Sequence, residues 1–144
     1  MSISARTFFF IQQVELLVRR RIDQCLQGEL TTAGQYMVLN LVVHHEPVSS
    51  ADLPRQANIT AQSMGEFIKA LEAKGLVERN GDASNRRVIQ ISSTPVGRKA
   101  IVQAEARVDQ AQPEFFAGLS GEELTSLRLL LSRVRSLELS RSDA

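Results

Sequence analysis

Apolar residues near the start of the chain recur every three or four positions, a spacing that places them on one face of a helix. They are Ile11, Val14, Val18, Ile22 and Cys25. We predict this first helix over residues 5–28, with Gly28 as its end. A second helix is predicted to begin after Thr31 and to end near Pro47. Its inward residues are predicted to be Tyr36, Leu39 and Val43.

Two short polar turns predict the third and fourth helices. Ser49 followed by Asp52 resembles a capping box, which predicts a short third helix ending near Gln56. Pro54 lacks a backbone donor, so we expect a distorted or tightened first turn there. After a break at residues 58–59, Thr60 is placed to cap a fourth helix over residues 61–74. Its inward side consists of Met64, Ile68 and Leu71, and Gly75 is its predicted end.

The pattern then changes to two β-prone runs, residues 76–79 and 88–92, which flank a polar segment over residues 80–87. They predict a hairpin with an exposed tip. Thr94 followed by a proline predicts the start of a long fifth helix to about residue 112. Ser120 and Glu123 form a second capping box, opening a sixth helix through Leu139. The predicted fold is mainly α with one small antiparallel β-hairpin.

The third and fourth helices, joined by a tight turn, form an element that fits the major groove of B-DNA. The outer side of the fourth helix is polar, and glutamine, serine and threonine can contact base edges. The candidate DNA-contacting residues there are Thr60, Gln62, Ser63, Glu66 and Lys69. Taken alone, this pattern is weak evidence, because any corner of two helices with a capped second helix resembles it.

The formal net charge is only +1, so a nucleic-acid site must be a local concentration of positive charge. Residues 79–99 contain five basic residues against the single acid Asp82. The hairpin supplies Arg79, Arg86 and Arg87, and arginines on a ribbon suit the negative potential of a narrow minor groove. Paired arginines on a loop are commonly no more than solvated charge. Following a helix-turn-helix, they favour a duplex-DNA-binding regulator.

The segment from Leu30 to Gly97 resembles the winged helix-turn-helix of the multiple-antibiotic-resistance regulator (MarR) family. The matching stretches are 30–31, 35–39, 50–53, 59–64, 71–79, 82–87 and 93–97. The resemblance implies a homodimer, two DNA-binding lobes and a small-molecule pocket between the lobes and the dimer region. It also implies base reading by Gln62 and Ser63 and minor-groove contact by Arg86 with support from Arg87. A ligand-responsive repressor acting on a pseudo-palindromic operator is then the leading hypothesis.

Three positions depart from the family pattern. Asn85 stands where the hairpin commonly carries an acid, so an ion pair that braces the hairpin is expected to be missing. Glu66 stands where a basic residue is frequent, and an acid there repels phosphate or reads a cytosine amino group. Pro54 stands where a small helix former is usual. These departures leave the target DNA sequence open.

The two ends of the chain are more apolar than one small lobe needs. The apolar residues are Phe8, Phe9, Phe10, Ile11, Phe115, Phe116, Leu119, Leu124, Leu127, Leu130, Leu131 and Val134. A two-fold partner is the natural cover for such a surface, although the segments could also pack on each other within one chain. We therefore predict one domain over residues 1–144. It divides into a DNA-binding lobe over residues 30–97 and a helical dimerisation region over residues 1–29 and 98–144.

Other classes of protein are disfavoured. Cys25 is the only cysteine, which excludes an internal disulfide, and its place on an apolar helix face favours an inert thiol over a redox sensor. No apolar run reaches the roughly 20 residues of a membrane helix, so a cytoplasmic protein is expected. We find no enzyme motif, and neither a metal site nor a cofactor is expected. An activator, a DNA binder without effector and a winged-helix protein-interaction module remain the alternatives.

Overall fold

The computed structural model describes residues 3–26, 32–81, 84 and 87–142. Its elements in chain order are α1 (Ile3–Cys25), α2 (Ala33–His45), β1 (Val48–Ser49), α3 (Leu53–Ala57), α4 (Ala61–Ala73), β2 (Val77–Gly81), β3 (Ile89–Ser93), α5 (Pro95–Phe115) and α6 (Gly121–Ser142). The prediction of a mainly helical chain with a small antiparallel β-element is confirmed. Gly28, the predicted end of the first helix, and Thr31, after which the second was predicted to begin, lie outside the described residues, as do Asp82, Asn85 and Arg86.

The core of the lobe is formed where α2, α3 and α4 pack together with the sheet and the first part of α5. Its apolar side chains, none more than 8% exposed, are Leu26, Val38, Leu39, Val42, Val48, Leu53, Met64, Ile68, Leu71, Leu76, Val77, Ile91, Ala100, Ile101 and Ala104. The predicted inward residues of α4, Met64, Ile68 and Leu71, are all among them. This confirms the orientation that the sequence predicted for α4.

The sheet has three antiparallel strands in the order β1-β3-β2. The predicted hairpin is confirmed as β2 and β3, with Val77 opposite Ser93 and Gly81 opposite Ile89. We call residues 77–93 the wing. Strand β1, which the sequence analysis missed, pairs with the base of the wing through Val48 opposite Ile91. The wing is therefore continuous with the core at its base.

Helix α3 corrects the expectation for Pro54. The proline lies in the first turn, where a missing backbone donor leaves no helical hydrogen bond unmade. The turn is an ordinary α-turn, because the Gln56 amide donates to the Asp52 carbonyl at 3.2 Å. Ser49 Oγ does accept from the Asp52 amide at 3.2 Å, but this bond belongs to the turn before the helix. The helix itself begins at Leu53.

The inward face of α2 also differs from the prediction. Leu39 is buried as expected, whereas Tyr36 and Val43 are only half-buried. The buried positions beside Leu39 are Gln35, Val38 and Val42. Helix α2 contacts α1, α3, α4 and β3, so a single stripe of apolar residues does not describe its surroundings.

Three predicted helix starts are confirmed by hydrogen bonds between side chain and backbone. Thr60 Oγ1 accepts from the Ser63 amide at 3.1 Å, and Thr94 Oγ1 accepts from the Gly97 amide at 3.0 Å. The capping box before α6 is reciprocal: the Glu123 amide donates to Ser120 Oγ at 3.1 Å, and the Ser120 amide donates to Glu123 Oε1 at 3.0 Å. Each cap satisfies a backbone donor that has no partner within its helix.

Thr94 also joins the end of α4 to the start of α5. Its hydroxyl donates to the Gly75 carbonyl at 2.6 Å, and its amide donates to the Leu76 carbonyl at 3.1 Å. Gly75 has φ +71°, the left-handed conformation that glycine adopts most easily after a helix. Gly97 is packed so closely that a Cβ there would collide with the Leu76 carbonyl. We call these four residues the Thr94 joint.

The terminal helices leave large apolar side chains exposed. In α1 these are Phe8, Phe9, Phe10, Ile11, Val14, Leu16 and Leu17, and in α6 they are Leu129, Leu130, Leu131, Val134, Leu137 and Leu139. The chain divides into two compact units, Met1–Asp109 and Gln110–Ala144. The boundaries predicted at residues 30 and 97 stay a prediction. Among the helices of the described residues, none is long and apolar enough to cross a membrane.

Candidate nucleic-acid interface

The start of α4 presents the candidate base-reading residues. Thr60 Oγ1 accepts from the Ser63 amide and donates to Ser63 Oγ at 3.0 Å, so these two hydroxyls are already engaged with each other. Ser63 is half-buried, whereas Gln62 is exposed. The geometry makes the Gln62 amide the more accessible group for a bidentate contact to a base edge.

Gln62, Glu66 and Lys69 form a polar stripe along α4. They are spaced four and three residues apart, which places them on one helix face, and all three are exposed. We call this face the α4 stripe. It lies away from the buried positions Met64 and Ile68, so its side chains are free of the core. The structure brings these three predicted residues together on one surface.

The tip of the wing is the segment of residues 82–88 between the ends of β2 and β3. Arg87 is exposed there. Arg86, the residue to which the family resemblance gives the main minor-groove contact, is outside the described residues, as is the departure at Asn85. A contact between these arginines and DNA stays a prediction.

Arg79 is held by α4. Its Nε lies 3.1 Å from Glu72 Oε2 in an ion pair, and the side chains of Arg79 and Glu72 are 34% and 44% exposed. The pair connects the last turn of α4 to β2, so the two candidate DNA-contacting elements are linked directly. The predicted contact of Arg79 with DNA is untested, but a bound phosphate would have to compete with the Glu72 carboxylate for its guanidinium group.

A second anchored point, missed by sequence reasoning, lies at the root of β3. Glu46 Oε2 accepts from the Ser93 amide at 2.6 Å and from Ser93 Oγ at 2.7 Å. Arg98 Nη1 donates to Ser93 O and Ser93 Oγ, each at 3.1 Å, and lies 4.0 Å from Glu46 Oε1. We call Glu46, Ser93 and Arg98 the Glu46 cluster.

The Glu46 cluster favours the ionised carboxylate. Partial burial acts to raise the pKa of Glu46, but the two hydrogen bonds from Ser93 and the charge of Arg98 together outweigh it. The pKa of Glu46 is therefore lowered from its ordinary value. Glu46 and Ser93 are 47 positions apart in the chain, and no local pattern indicates their contact.

A cavity of about 450 Å³ lies between α1, α2 and the middle of α4. Its apolar wall includes Val18, Ile22, Met37 and Phe67, and polar atoms enter from Tyr36, Asn40 and the Glu15–Arg19 pair. Phe67 belongs to α4, so the cavity reaches the helix that carries the α4 stripe. A Cβ at Gly34 would collide with the ring of Phe67, which explains how the ring comes so close to α2.

The polar end of the cavity is backed by acidic groups of α5. Burial raises the pKa of Tyr36, and the charges of Glu105 and Asp109 raise it further, so its hydroxyl stays a donor. Asn40 Nδ2 donates to Glu105 Oε1 at 3.1 Å. The sequence analysis favoured a core role for Tyr36, and the structure places it half-buried in the cavity wall.

Two further titratable side chains, Cys25 and His44, lie near helix ends. Cys25 is half-buried near the end of α1. His44 Nε2 lies 3.9 Å from Glu105 Oε1 at the end of α2. Over the described ranges, no three His, Cys, Asp or Glu side chains converge as metal ligands would.

Comparisons with known proteins support the winged-helix fold. The sequence model of the MarR family matches residues 31–89. The HTH-type transcriptional repressor Rv2887 of Mycobacterium tuberculosis is 26% identical over 128 residues, covering 89% of this chain and 92% of that protein.

Two solved structures have the same fold. A MarR-family transcriptional regulator from Rhodococcus sp. RHA1 aligns with a TM-score of 0.85 and 25% identity, covering 93% of this chain and 95% of that one. CouR from Rhodococcus jostii RHA1, solved with bound p-coumaroyl-CoA, aligns with a TM-score of 0.78 and 26% identity. That alignment covers 93% of this chain and 94% of CouR.

Proposed function

Because the chain belongs to the MarR family of transcription regulators, we propose that it represses transcription by binding a pseudo-palindromic operator as a homodimer. A small effector bound within the protomer would release it. In this proposal Gln62 and Ser63 contact base edges in the major groove, and Arg86 and Arg87 enter the adjacent minor groove. The name of the relative Rv2887, a transcriptional repressor, supports repression over activation.

The observation that carries the proposal is the α4 stripe beside the wing. The stripe exposes an amide, a carboxylate and an ammonium group at helical spacing, a set that can read base edges and hold phosphate. Backbone donors at the start of α4 add a site that attracts phosphate. The Arg79–Glu72 pair ties the wing to the same helix, so both elements can dock together.

Dimerisation follows from the terminal helices. Leu130 and Val134 lie on one face of α6 and are each 54% exposed, and Phe8 in α1 is 78% exposed. Burying apolar area is worth about 25 cal/mol per Å², so an isologous two-fold contact is the economical cover for these faces. A two-fold dimer in turn predicts half-sites about one helical turn apart.

The cavity supports a ligand-responsive protein. A molecule bound there would contact Phe67 on α4, so its binding would differ between two positions of that helix. CouR with its bound p-coumaroyl-CoA is a relative that holds a small molecule. The Tyr36 and Asn40 side chains provide the polar contacts that would orient an otherwise apolar ligand.

The DNA-binding proposal is tested with a duplex selected by footprinting of the region upstream of the gene, using fluorescence anisotropy at several salt concentrations. Replacing Arg86 and Arg87 by alanine is expected to weaken binding at least about tenfold and to reduce the salt dependence by about two phosphate contacts. The matched control replaces Arg128 and Arg135, exposed on the side of α6 opposite Leu130, and is expected to leave the affinity unchanged. Equal binding by all three proteins would contradict the proposal.

The effector proposal is tested by operator release. A panel of small aromatic compounds and p-coumaroyl-CoA is titrated into the complex with labelled operator. Met37→Trp, which fills part of the cavity, is expected to abolish release while leaving operator affinity unchanged. Release that persists in this variant would place the effector elsewhere.

A further inference from the structure

The Glu46 cluster sits where the wing meets the rest of the lobe. Glu46 caps the C-terminal end of α2, Ser93 is the last residue of β3, and Arg98 lies in the first turn of α5. The carboxylate of Glu46 thus holds β3 from the α2 side, through hydrogen bonds of 2.6 Å and 2.7 Å. Two helices and a strand converge on one buried serine that is 5% exposed.

Strand β3 transmits this anchoring to the whole wing. It is the central strand of the sheet and pairs with both β1 and β2. Ser93 lies opposite Val77, the first residue of β2, so its position sets the register at the base of the wing. A shift at Ser93 would displace the far end of the two strands, where Gly81 lies opposite Ile89.

The charge of Glu46 distinguishes a positioning role from a purely electrostatic one. A carboxylate near a DNA-binding element opposes phosphate on charge alone, so its removal should strengthen binding if charge is all that matters. If Glu46 instead acts through the wing, its removal should weaken binding. The two effects have opposite signs.

We infer that Glu46 is a positioning residue for the wing. It fixes the root of β3 through Ser93 and thereby sets where the wing arginines lie relative to the α4 stripe. The effect on operator affinity rests on the proposed DNA binding. The anchoring of β3 by Glu46 can be measured without DNA.

The binding test compares Glu46→Gln with Glu78→Gln. Glu78 is exposed on β2, so its replacement removes the same charge from the wing without touching the cluster. Glu46→Gln is expected to weaken operator binding about tenfold, and Glu78→Gln to leave it equal or slightly tighter. Ser93→Ala, which removes the hydroxyl's hydrogen bonds with Glu46 and Arg98 and changes no charge, is expected to weaken binding about threefold.

A double-mutant cycle that combines Glu46→Gln with the loss of the wing arginines measures whether their effects on operator affinity are coupled. A general loss of stability would not produce such coupling. In the Glu46→Gln protein, replacing Arg86 and Arg87 by alanine is expected to cost several-fold less affinity than in the wild type, because the wing is already misplaced. Equal cost in both backgrounds, or an affinity for Glu46→Gln that matches Glu78→Gln, would overturn the inference.

Hydrogen exchange separates this inference from the proposed function. Without DNA, Glu46→Gln and Ser93→Ala are expected to speed amide exchange across residues 89–93, while Glu78→Gln leaves it unchanged. Unchanged exchange in both cluster variants would refute the inference whatever the DNA result. If the wild type binds no duplex, the proposed function fails, and faster exchange in the cluster variants would still uphold the anchoring of the wing.

Discussion

In α4 the apolar residues Met64, Ile68 and Leu71 are at most 3% exposed, whereas in α6 Leu130, Leu131 and Val134 are 48–54% exposed. Both helices carry apolar residues three or four positions apart, but only α4 gathers them on one side, because those of α6 are spread around the helix. The apolar side chains of α4 are buried by other elements of the lobe. Several of those of α6 stay exposed in the single chain. Closely spaced apolar residues therefore indicate that side chains will be buried without indicating which surface buries them.

The largest expected effect tests the self-contained lobe. Leu71 is fully buried, and Leu71→Ala removes its side chain from the centre of the core. We expect a loss of about 2–5 kcal/mol in the free energy of unfolding, measured by urea denaturation. The loss should be the same at all protein concentrations, because Leu71 is already fully buried within one chain. A loss that depends on concentration would break the comparison.

The next largest effect tests the open face of α6. Leu130→Glu places a charge on the face that we propose is buried in the dimer, and we expect the dimer to dissociate about tenfold to a hundredfold more readily. Analytical ultracentrifugation measures this change. The control Ser132→Glu adds the same charge on the opposite side of the helix, where dimerisation should be unaffected. Equal behaviour of the two variants would remove the case for this interface.

A smaller effect concerns the charged groups that the lobe pairs internally. Arg79→Gln and Glu72→Gln are each expected to lower stability by about 1 kcal/mol or less, since both side chains are partly exposed. The double variant should be hardly less stable than either single one, as chemical denaturation would measure. Additive losses would mean that the ion pair does not link α4 to the wing.

The smallest effect is a pH dependence. The pKa of Glu46 lies below its ordinary value of 4.5 in the folded protein, so its contribution to stability is present at neutral pH and is lost as the pH falls below about that value. Glu46→Gln should therefore flatten the decline in melting temperature between about pH 6 and about pH 3. The pKa of Glu123 in α6 is lowered in the same direction, by hydrogen bonds from Ser120. Because Glu123 is fully exposed, Glu123→Gln should flatten the curve less.

The features that the sequence predicted correctly are mostly local. The caps at Thr60, Thr94 and Ser120 each involve a residue only three positions further on, and the buried stripe of α4 is contained in one helix. Such contacts are fixed by backbone geometry, and a residue pattern can indicate them. The hairpin is likewise a local structure, since β2 and β3 are consecutive strands.

The features that the sequence did not predict depend on contacts between distant parts of the chain. Strand β1 has only two residues and is defined by its pairing with β3. The contact of Glu46 with Ser93 has no signal in either segment. Arg79 was assigned to DNA contact from its charge alone, which does not reveal that the Glu72 carboxylate lies 3.1 Å from its Nε. The helical pattern also left open how α2 faces the several elements around it.

The Thr94 joint has a mechanical consequence. Thr94 is hydrogen-bonded to Gly75 and Leu76 on one side and to Gly97 on the other. The end of α4 and the start of α5 are therefore joined rigidly through one residue. A rotation of α5 would therefore rotate the end of α4 with it, because no flexible linker separates the two helices at this point. This close contact is possible because Gly97 has no side chain, so the start of α5 can approach the Leu76 carbonyl.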